Sequence, residues 1–306
     1  MRISTTQMQD RSVATMLQRQ AELSKTQQQV ASGKRILAPS DDVLGSTQVL
    51  ALKELIATHK QYEENANVAE ARLNQEEASL TATIDALQRV RELGIQASAS
   101  TMGATGRASI AVEIRAILEN VKSIANTTDG NSDYLFAGFN VDTAPFTETE
   151  VPAGSGLYTY AYTGDLGQRT VKIGDTRFIP VGDSGQNVFM DVPESGGGTR
   201  NLFETVEQFA LDLESNTLNT AIIDDMSLAM EHMSSFRAQT GARQNAIDGH
   251  RVLNDDIVFQ GEKTLSQIQD LDYAEAASRL NLQLTGLQAA QQSFARIQNL
   301  SLFNFL

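Results

Sequence analysis

From Leu52 to Val90 the chain repeats an alternating interval of three and four residues: Leu52, Leu55, His59, Tyr62, Ala66, Ala69, Leu73, Glu76, Leu80, Thr83, Leu87 and Val90. Most of these positions are apolar. The interval keeps one stripe of a helix turned toward a partner, so it predicts one long helix with a coiled-coil seam. No proline interrupts residues 46–100. At about 1.5 Å per residue such a rod reaches roughly 80 Å, far longer than a typical globular helix.

Met102-Gly103-Ala104-Thr105-Gly106 ends this helix. A second helix is expected from Ile110, Ile114, Ile117, Val121 and Ile124, stopped by Asp129-Gly130 and folded back on the first. Helical spacing returns at Leu202, Val206, Phe209 and Leu213. It continues through Ile222, Met226, Ala229, Met233, Phe236, Thr240, Arg243, Ile247, His250, Asn254 and Ile257. Between these blocks Gly, Thr and Tyr alternate, and Gly174-Asp175 separates two alternating runs, which is a hairpin signal. Glu194 to Thr199, "ESGGGT", reads as the exit linker of this insert.

The expected fold class is therefore mainly α with a β insert: a long coiled-coil helical rod formed by N- and C-terminal segments, and a small outer β domain. The expected division is 1–40 plus 264–306 as a terminal helical coiled-coil arm, 41–133 plus 199–263 as the rod, and 134–198 as the β domain.

Both termini keep the same spacing. Val13, Met16, Gln20, Leu23, Gln27 and Val30 face Tyr273, Ala277, Leu280, Leu284, Leu287, Gln291 and Phe294 as antiparallel partners. Ordering residues 5–31 costs about 1–2 kcal/mol per residue in backbone entropy. Burying Val13, Met16, Leu23 and Val30 returns only about 1.5–3 kcal/mol each. A two-helix arm with Gln in its seam is thus marginal, and further chains must supply the missing burial. The apolar end formed by Leu300, Leu302, Phe303, Phe305 and Leu306 has no purpose on a free monomer. These positions together form the expected assembly seam.

Between arm and rod lies "ASGKRILAPSDD", Ala31 to Asp42. A phosphate-binding loop of the Walker type requires glycine at position 28 and a hydroxyl residue after Lys34, where Gln28 and Arg35 stand. Adjacent Asp41 and Asp42, without further spaced oxygen ligands, make a poor cage for Ca²⁺ or Mg²⁺. The stretch reads as a joint. Gly33 ends the first helix, Lys34-Arg35 suit its negative end, Pro39 turns the chain, and Ser40 or Asp41 caps the long helix with Asp42 at its positive end.

A net charge of −14 across 306 residues repels polyanions, which argues against nucleic acid and against an acidic membrane surface. The chain has no Cys, which removes disulfides and thiolate chemistry. The first twenty residues lack the basic start and apolar core of a Sec-type signal, and no apolar run is long enough for a membrane span. His59, His232 and His250 stand without the partners that a metal site or a catalytic set needs. No catalytic residue, metal or cofactor is expected, so the chain does not read as an enzyme. One alternative is a stalked surface-binding β module, with Tyr158, Tyr160 and Tyr162 at alternate positions as a stacking face.

"MRIST" at the start, "SGKRILAPSDD" at the joint, "DYLFAG" before the insert and the final stretch from "QIQDLDYAEA" to "LSLFNFL" resemble the flagellar hook-associated junction proteins of the flagellin superfamily. The joint is shared with flagellin; the C-terminal stretch is the more specific. Val43 stands where the family often has Pro. The resemblance implies an inner domain made by both termini, a helical rod and an outer β domain, assembled as a ring of copies between hook and filament. It also implies partners: other copies of the chain, the first hook-associated junction protein, flagellin, and a cytosolic flagellar export chaperone. The implied location is the extracellular flagellum, reached through the flagellar type III apparatus without a cleaved signal peptide. A short flagellin, polymerising into the filament itself, is the nearest alternative.

Overall fold

The computed structural model describes residues 5–152, 157–217 and 219–299. It contains six α-helices: α1 (Thr5–Ser32), α2 (Val43–Ala97), α3 (Ala104–Ala125), α4 (Leu202–Glu214), α5 (Ala221–Gln269) and α6 (Tyr273–Asn299). Between α3 and α4 lie three antiparallel hairpins, β1 (Phe146–Glu150) with β2 (Tyr158–Tyr162), β3 (Thr170–Lys172) with β4 (Phe178–Pro180), and β5 (Val192–Pro193) with β6 (Thr199–Arg200). A π-helical turn, Gln186–Met190, precedes β5. The chain divides into two compact units, residues 1–58 with 256–306 and residues 59–255.

The long helix forms as its spacing requires, and from His59 to Val90 every seam position is buried. Nearer its start the stripe is rotated. Val49 and Ile56 turn inward, whereas Leu55 is 39% exposed. The physical reason is that α2 offers apolar residues at both 55 and 56, and the partner present decides which is covered.

In the larger unit, one apolar core joins helices and insert. Leu80, Leu87 and Val90 of α2, Ile114 and Leu118 of α3, Phe203, Phe209 and Leu213 of α4, and Met226 and Met233 of α5 share it with Phe136, Phe146, Tyr160 and Phe189 of the insert. Helix α3 lies closest along α4, and it also meets the rod helix, where Arg89 of α2 pairs with Glu113 at 2.7 Å. Its buried stripe is Ile110, Ile114, Leu118, Val121 and Ala125, while Ile117 and Ile124 are only half-buried. The helix stops at Ala125, short of the expected Asp129-Gly130, because Asn126 takes up the next strand: its Nδ2 donates to the Phe146 carbonyl and its Oδ1 accepts the Phe146 N–H, both at 3.0 Å.

The Gly174-Asp175 hairpin is present as β3–β4. "ESGGGT" is not a linker but the turn of β5–β6, where the Glu194 N–H donates to the Gly198 carbonyl at 3.2 Å. Helix α4 follows at once. Asn201 caps it by accepting from the Phe203 N–H at 3.0 Å, while its Nδ2 donates to the Tyr160 carbonyl at 3.2 Å. The same side chain therefore starts a helix and holds a strand. "DYLFAG" has a comparable double role. Leu135, Phe136 and Ala137 are buried, and Gly138 has φ +75°, where a Cβ would collide with Asp165.

Of the tyrosines expected as a face on β2, Tyr160 and Tyr162 are used in packing, while Tyr158 is exposed. The Tyr160 ring lies 5.4 Å from Phe203, and the Tyr162 ring 5.4 Å from Phe146; the Tyr162 hydroxyl donates to the Phe136 carbonyl at 2.8 Å. Phe203 also lies 5.2 Å from Phe146 and 5.9 Å from Phe189, so it ties α4 to three parts of the insert. Phe203→Ala should cost about 3–5 kcal/mol in urea unfolding. Phe178→Ala, at an exposed strand position, should stay within about 0.5 kcal/mol. Equal losses from both would show that the shared aromatic core does not carry the fold.

Candidate assembly surfaces and joint

Helices α1 and α6 pair antiparallel, with Arg19 beside Gly286 and Gly33 beside Leu271. The faces that meet are rotated from the spacing read in sequence. On α1 the covered stripe is Ser12, Met16, Leu23, Thr26, Gln29 and Val30; on α6 it is Ala276, Leu280, Gln283, Leu287, Ala290 and Phe294. Of the positions read from spacing, Met16, Leu23, Val30, Leu280, Leu287 and Phe294 are buried or half-buried. Val13, Gln20, Gln27, Tyr273, Ala277, Leu284 and Gln291 are not; they are exposed on neighbouring stripes. Gln20, Gln27 and Gln291 therefore lie outside the covered stripes, whereas Gln29 and Gln283 lie within them, and Gln283 Oε1 has no hydrogen-bond partner among the described residues. Each helix carries apolar residues on more than one stripe, and a single partner covers only one of them. Leu300, Leu302, Phe303, Phe305 and Leu306 lie outside the described residues.

Covering one stripe leaves large side chains in the open. Leu17 is 62% exposed on α1 and Leu282 72% exposed on α6. Within the same unit Val43, Leu44 and Leu50 on α2 and Phe259 on α5 are also exposed. Scattered single apolar residues are ordinary on a protein surface. Their recurrence along narrow helices, each already paired on another side, is the geometry of surfaces that further copies can cover.

At the joint, two chain segments far apart in sequence are stitched by their backbones. The Arg35 N–H donates to the Gln269 carbonyl at 2.7 Å, and the Leu271 N–H donates to the Gly33 carbonyl at 3.0 Å. Arg35 also donates through its guanidinium to the Ile268 carbonyl at 2.9 Å. Its positive charge therefore serves the C-terminal end of α5, not that of α1 as expected. Gln29 Nε2 donates to the Arg35 carbonyl at 2.6 Å, and Ile36 and Leu271 are buried nearby.

The two aspartates divide their work differently from the sequence reading. Asp42, not Ser40 or Asp41, caps α2: its Oδ1 accepts from the Gly45 N–H at 2.8 Å. Asp41 holds the preceding turn, accepting from the Leu37 and Ala38 N–H groups at 3.0 and 3.1 Å and pairing with Lys25 at 2.6 Å. The hydrogen bond from Lys25, then those from Ala38 and Leu37, hold the Asp41 carboxyl down at about 2. The Gly45 N–H, with help from Arg35, lowers Asp42 as well. Pro39 and Ser40 are exposed in the turn. Each carboxylate oxygen of Asp41 and Asp42 has a protein donor.

The other half of the joint, Gln269 to Tyr273, escaped the sequence reading. Asp272 caps α6 by accepting from the Ala274 and Glu275 N–H groups at 2.8 and 3.1 Å. An aspartate three residues before a glutamate is a recognisable helix start and was the available signal. Gly33 adopts φ +69°, and a Cβ there would lie 2.8 Å from the Tyr273 hydroxyl.

Among the described residues no group of three or more His, Cys, Asp or Glu side chains is arranged to hold a metal ion. His59 pairs through Nδ1 with Asn254 Oδ1 at 2.9 Å, and His232 Nε2 meets the Asn187 carbonyl at 2.9 Å. No described helix is long and apolar enough to cross a membrane.

Paired terminal helices stitched at one joint, with a β insert carried between α3 and α4, define a class of helical assembly subunit. The chain belongs to the flagellin family: the bacterial flagellin N-terminal helical region matches residues 3–141, and the bacterial flagellin C-terminal helical region matches residues 221–306. It is 27% identical to flagellar hook-associated protein 3 of Escherichia coli, over 99% of each chain. It is also 27% identical to a flagellin of Bacillus subtilis, over 89% of this chain and 88% of that one. Among solved structures, the flagellar junction protein FlgL from Legionella pneumophila shares the fold, with a TM-score of 0.62, 19% identity, and coverage of 73% of this chain and 100% of that one.

Gly33→Ala should lower the stability of the terminal unit by about 1–2 kcal/mol, because a left-handed backbone disfavours a side chain. Tyr273→Phe should restore part of that loss by removing the hydroxyl in the way. Denaturant unfolding of the two single variants and the double variant reads the coupling. Additive effects would mean that Tyr273 does not confine Gly33.

Proposed function

We propose that this chain is a structural subunit of the bacterial flagellum, a junction protein between hook and filament that adapts the hook end to flagellin polymerisation. The observation that carries this reading is the end-to-end correspondence with flagellar hook-associated protein 3 of Escherichia coli, which spans 99% of both chains. The likeness to flagellin runs over less of the chain. The exposed apolar stripes on α1 and α6 supply a physical reason for assembly. The partners are other copies of the chain, the first hook-associated junction protein and flagellin, with a cytosolic export chaperone before secretion. The location is extracellular, reached by flagellar export without a cleaved signal peptide. The protein acts by packing and not by catalysis.

In this reading the terminal arm, 1–40 with 264–306, makes the contacts between copies. Val13, Gln20, Gln27, Tyr273, Ala277, Leu284 and Gln291 face neighbouring subunits, while Met16, Leu23, Val30, Leu280, Leu287 and Phe294 hold the arm together. Leu300, Leu302, Phe303, Phe305 and Leu306, outside the described residues, are assigned to the same contacts between copies. The rod (41–133 with 199–263) contributes the exposed Val43, Leu44, Leu50 and Phe259, and the insert (134–198) makes none of these contacts.

Purified chain added to flagellin seeds tests the reading under electron microscopy. A junction protein adds at one filament end and stops; unlimited co-polymerisation would favour the short flagellin. The double variant Leu17→Ser, Leu282→Ser should keep its helicity by circular dichroism, since both side chains are exposed in the single chain. It should nevertheless reduce filament attachment in a strain lacking the native chain. Wild-type filament number would remove these stripes from the assembly contacts.

A further inference from the structure

Past the end of β4, the insert is fastened to the helices by charge. Asp183 is buried and receives Arg243 of α5 in a bidentate pair, at 3.0 Å to Oδ2 and 2.8 Å to Oδ1. Gln168 Nε2 adds a third donor at 2.8 Å. The Asp183 N–H donates to Oε1 of Glu76 on α2 at 2.9 Å. Glu76 is only 1% exposed, and its second oxygen, Oε2, has no hydrogen-bond partner among the described residues.

Charge in this region is nearly paired off. One turn before Glu76 on α2, Arg72 donates to Asp129 at 2.7 Å and to the Tyr134 carbonyl at 3.2 Å. Arg169, just before β3, pairs with Asp133 at 2.8 Å. Arg243 belongs to Asp183. Each arginine has its own aspartate, and Glu76 is the carboxylate left over. The groups facing it are Arg72 from its own helix, Asp183 from the segment after β4 and Arg243 from α5. Asp129, Asp133 and Arg169 stand behind Arg72. An ionised carboxylate in so dry a place, sharing one arginine with a second carboxylate, is strongly disfavoured.

We propose that Glu76 is a proton-dependent latch: as a neutral acid it lets the segment Val181–Ser184 seat against α2 and α5, and as a carboxylate it loosens that seat. The release step is loss of one proton to solvent, after which Glu76 and Asp183 compete for Arg243. Burial first, then the Asp183 charge, raises the Glu76 carboxyl from its ordinary 4.5 to about 7, against the opposing pull of Arg243, the Asp183 N–H and Arg72. A folded-state value above the unfolded one means that the proton stabilises the folded form. That contribution is fully present below about 4.5 and is lost as pH rises through about 7. Within that window the opening equilibrium of the segment should rise by up to about tenfold per pH unit, then level off.

Hydrogen–deuterium exchange of the full chain reads this opening, with rates corrected for the intrinsic pH dependence of amide exchange. Between about pH 5 and pH 8, wild-type amides from Val171 to Ser184 should lose at least about tenfold in protection, while those of α3 and α4 change much less. Glu76→Gln, neutral at every pH, should hold the acid-level protection throughout. Protection independent of pH in the wild type, or an unchanged pH response in E76Q, would overturn the latch. Should E76Q not fold, the wild-type chain labelled with ¹³C at glutamate carboxyls decides the matter by NMR. Burial also raises the Glu207 carboxyl, so the signal is assigned by comparison with Glu207→Gln: a high-titrating glutamate that persists in that variant supports the proposal, and its absence rejects it.

Discussion

The pair of backbone hydrogen bonds between residues 33–35 and 269–271 is the constraint on which the terminal unit depends. It joins segments more than two hundred residues apart: Arg35 and Ile268 differ by 233 positions. Loop-closure entropy grows only slowly with length, so even so long a closure is held by a few good bonds and the burial of Ile36 and Leu271. Once closed, the joint aims the end of α1 and the start of α6 at one another. The two helices then need little more than a narrow stripe to remain paired. Gly33 is the residue that permits the geometry, because its left-handed backbone disfavours a side chain and a Cβ would in addition push the Tyr273 hydroxyl aside.

A different balance holds the larger unit. Toward α3 and α4 the insert is bound by aromatic burial centred on Phe203. Toward the middle of α2 and α5 the core thins to Ala66, Ala69, Leu73 and Ile247 against Ile173, Ile179 and Val181. Small residues on α2 leave room for the β3–β4 hairpin, and polar groups do the fastening. Asn65 Nδ2 donates to the Lys172 carbonyl at 2.8 Å and Asn254 Nδ2 to the Ile173 carbonyl at 3.0 Å. Hydrogen bonds and buried charge specify a seat more sharply than they stabilise it, so this side of the insert is the one open to control by protonation.

The assembly reading follows from economy of the helix surface. A helix in contact with one neighbour covers a single stripe, and α1 and α6 carry apolar residues on more than that. The proposed junction role gives those surplus stripes a use, as contacts with further copies. The joint and the arms then belong to one mechanical whole, since the same bonds that place α1 against α6 also determine which stripes remain outward.

Much of this was legible in the residues. Helix existence depends on local periodicity, so α2 and the helical character of α4 and α5 could be read from spacing, and the β3–β4 hairpin from Gly174-Asp175, whereas the break between Glu214 and Ala221 that divides α4 from α5 was not. Gly33 was identifiable as a helix terminator because only its backbone freedom suits that turn. Which stripe faces inward was not legible wherever two adjacent stripes are apolar. Leu55 and Ile56, or Met16 and Leu17, are separated by a rotation that only a partner can select. The roles of Asp41 and Asp42 exchanged for a similar reason, since either could cap α2 until Lys25 came within 2.6 Å of Asp41. The solitary charge of Glu76 was hidden altogether. Its neighbours Asp183 and Arg243 lie more than a hundred residues away, and burial is a property of the packed chain. Sequence by itself determined the helical stretches, the Gly174-Asp175 turn and the family, because these rest on nearest neighbours along the chain; tertiary structure decided the ends of α3 and α4, the β5–β6 turn, the facing of each helix and the fate of each buried charge, because these rest on neighbours in space.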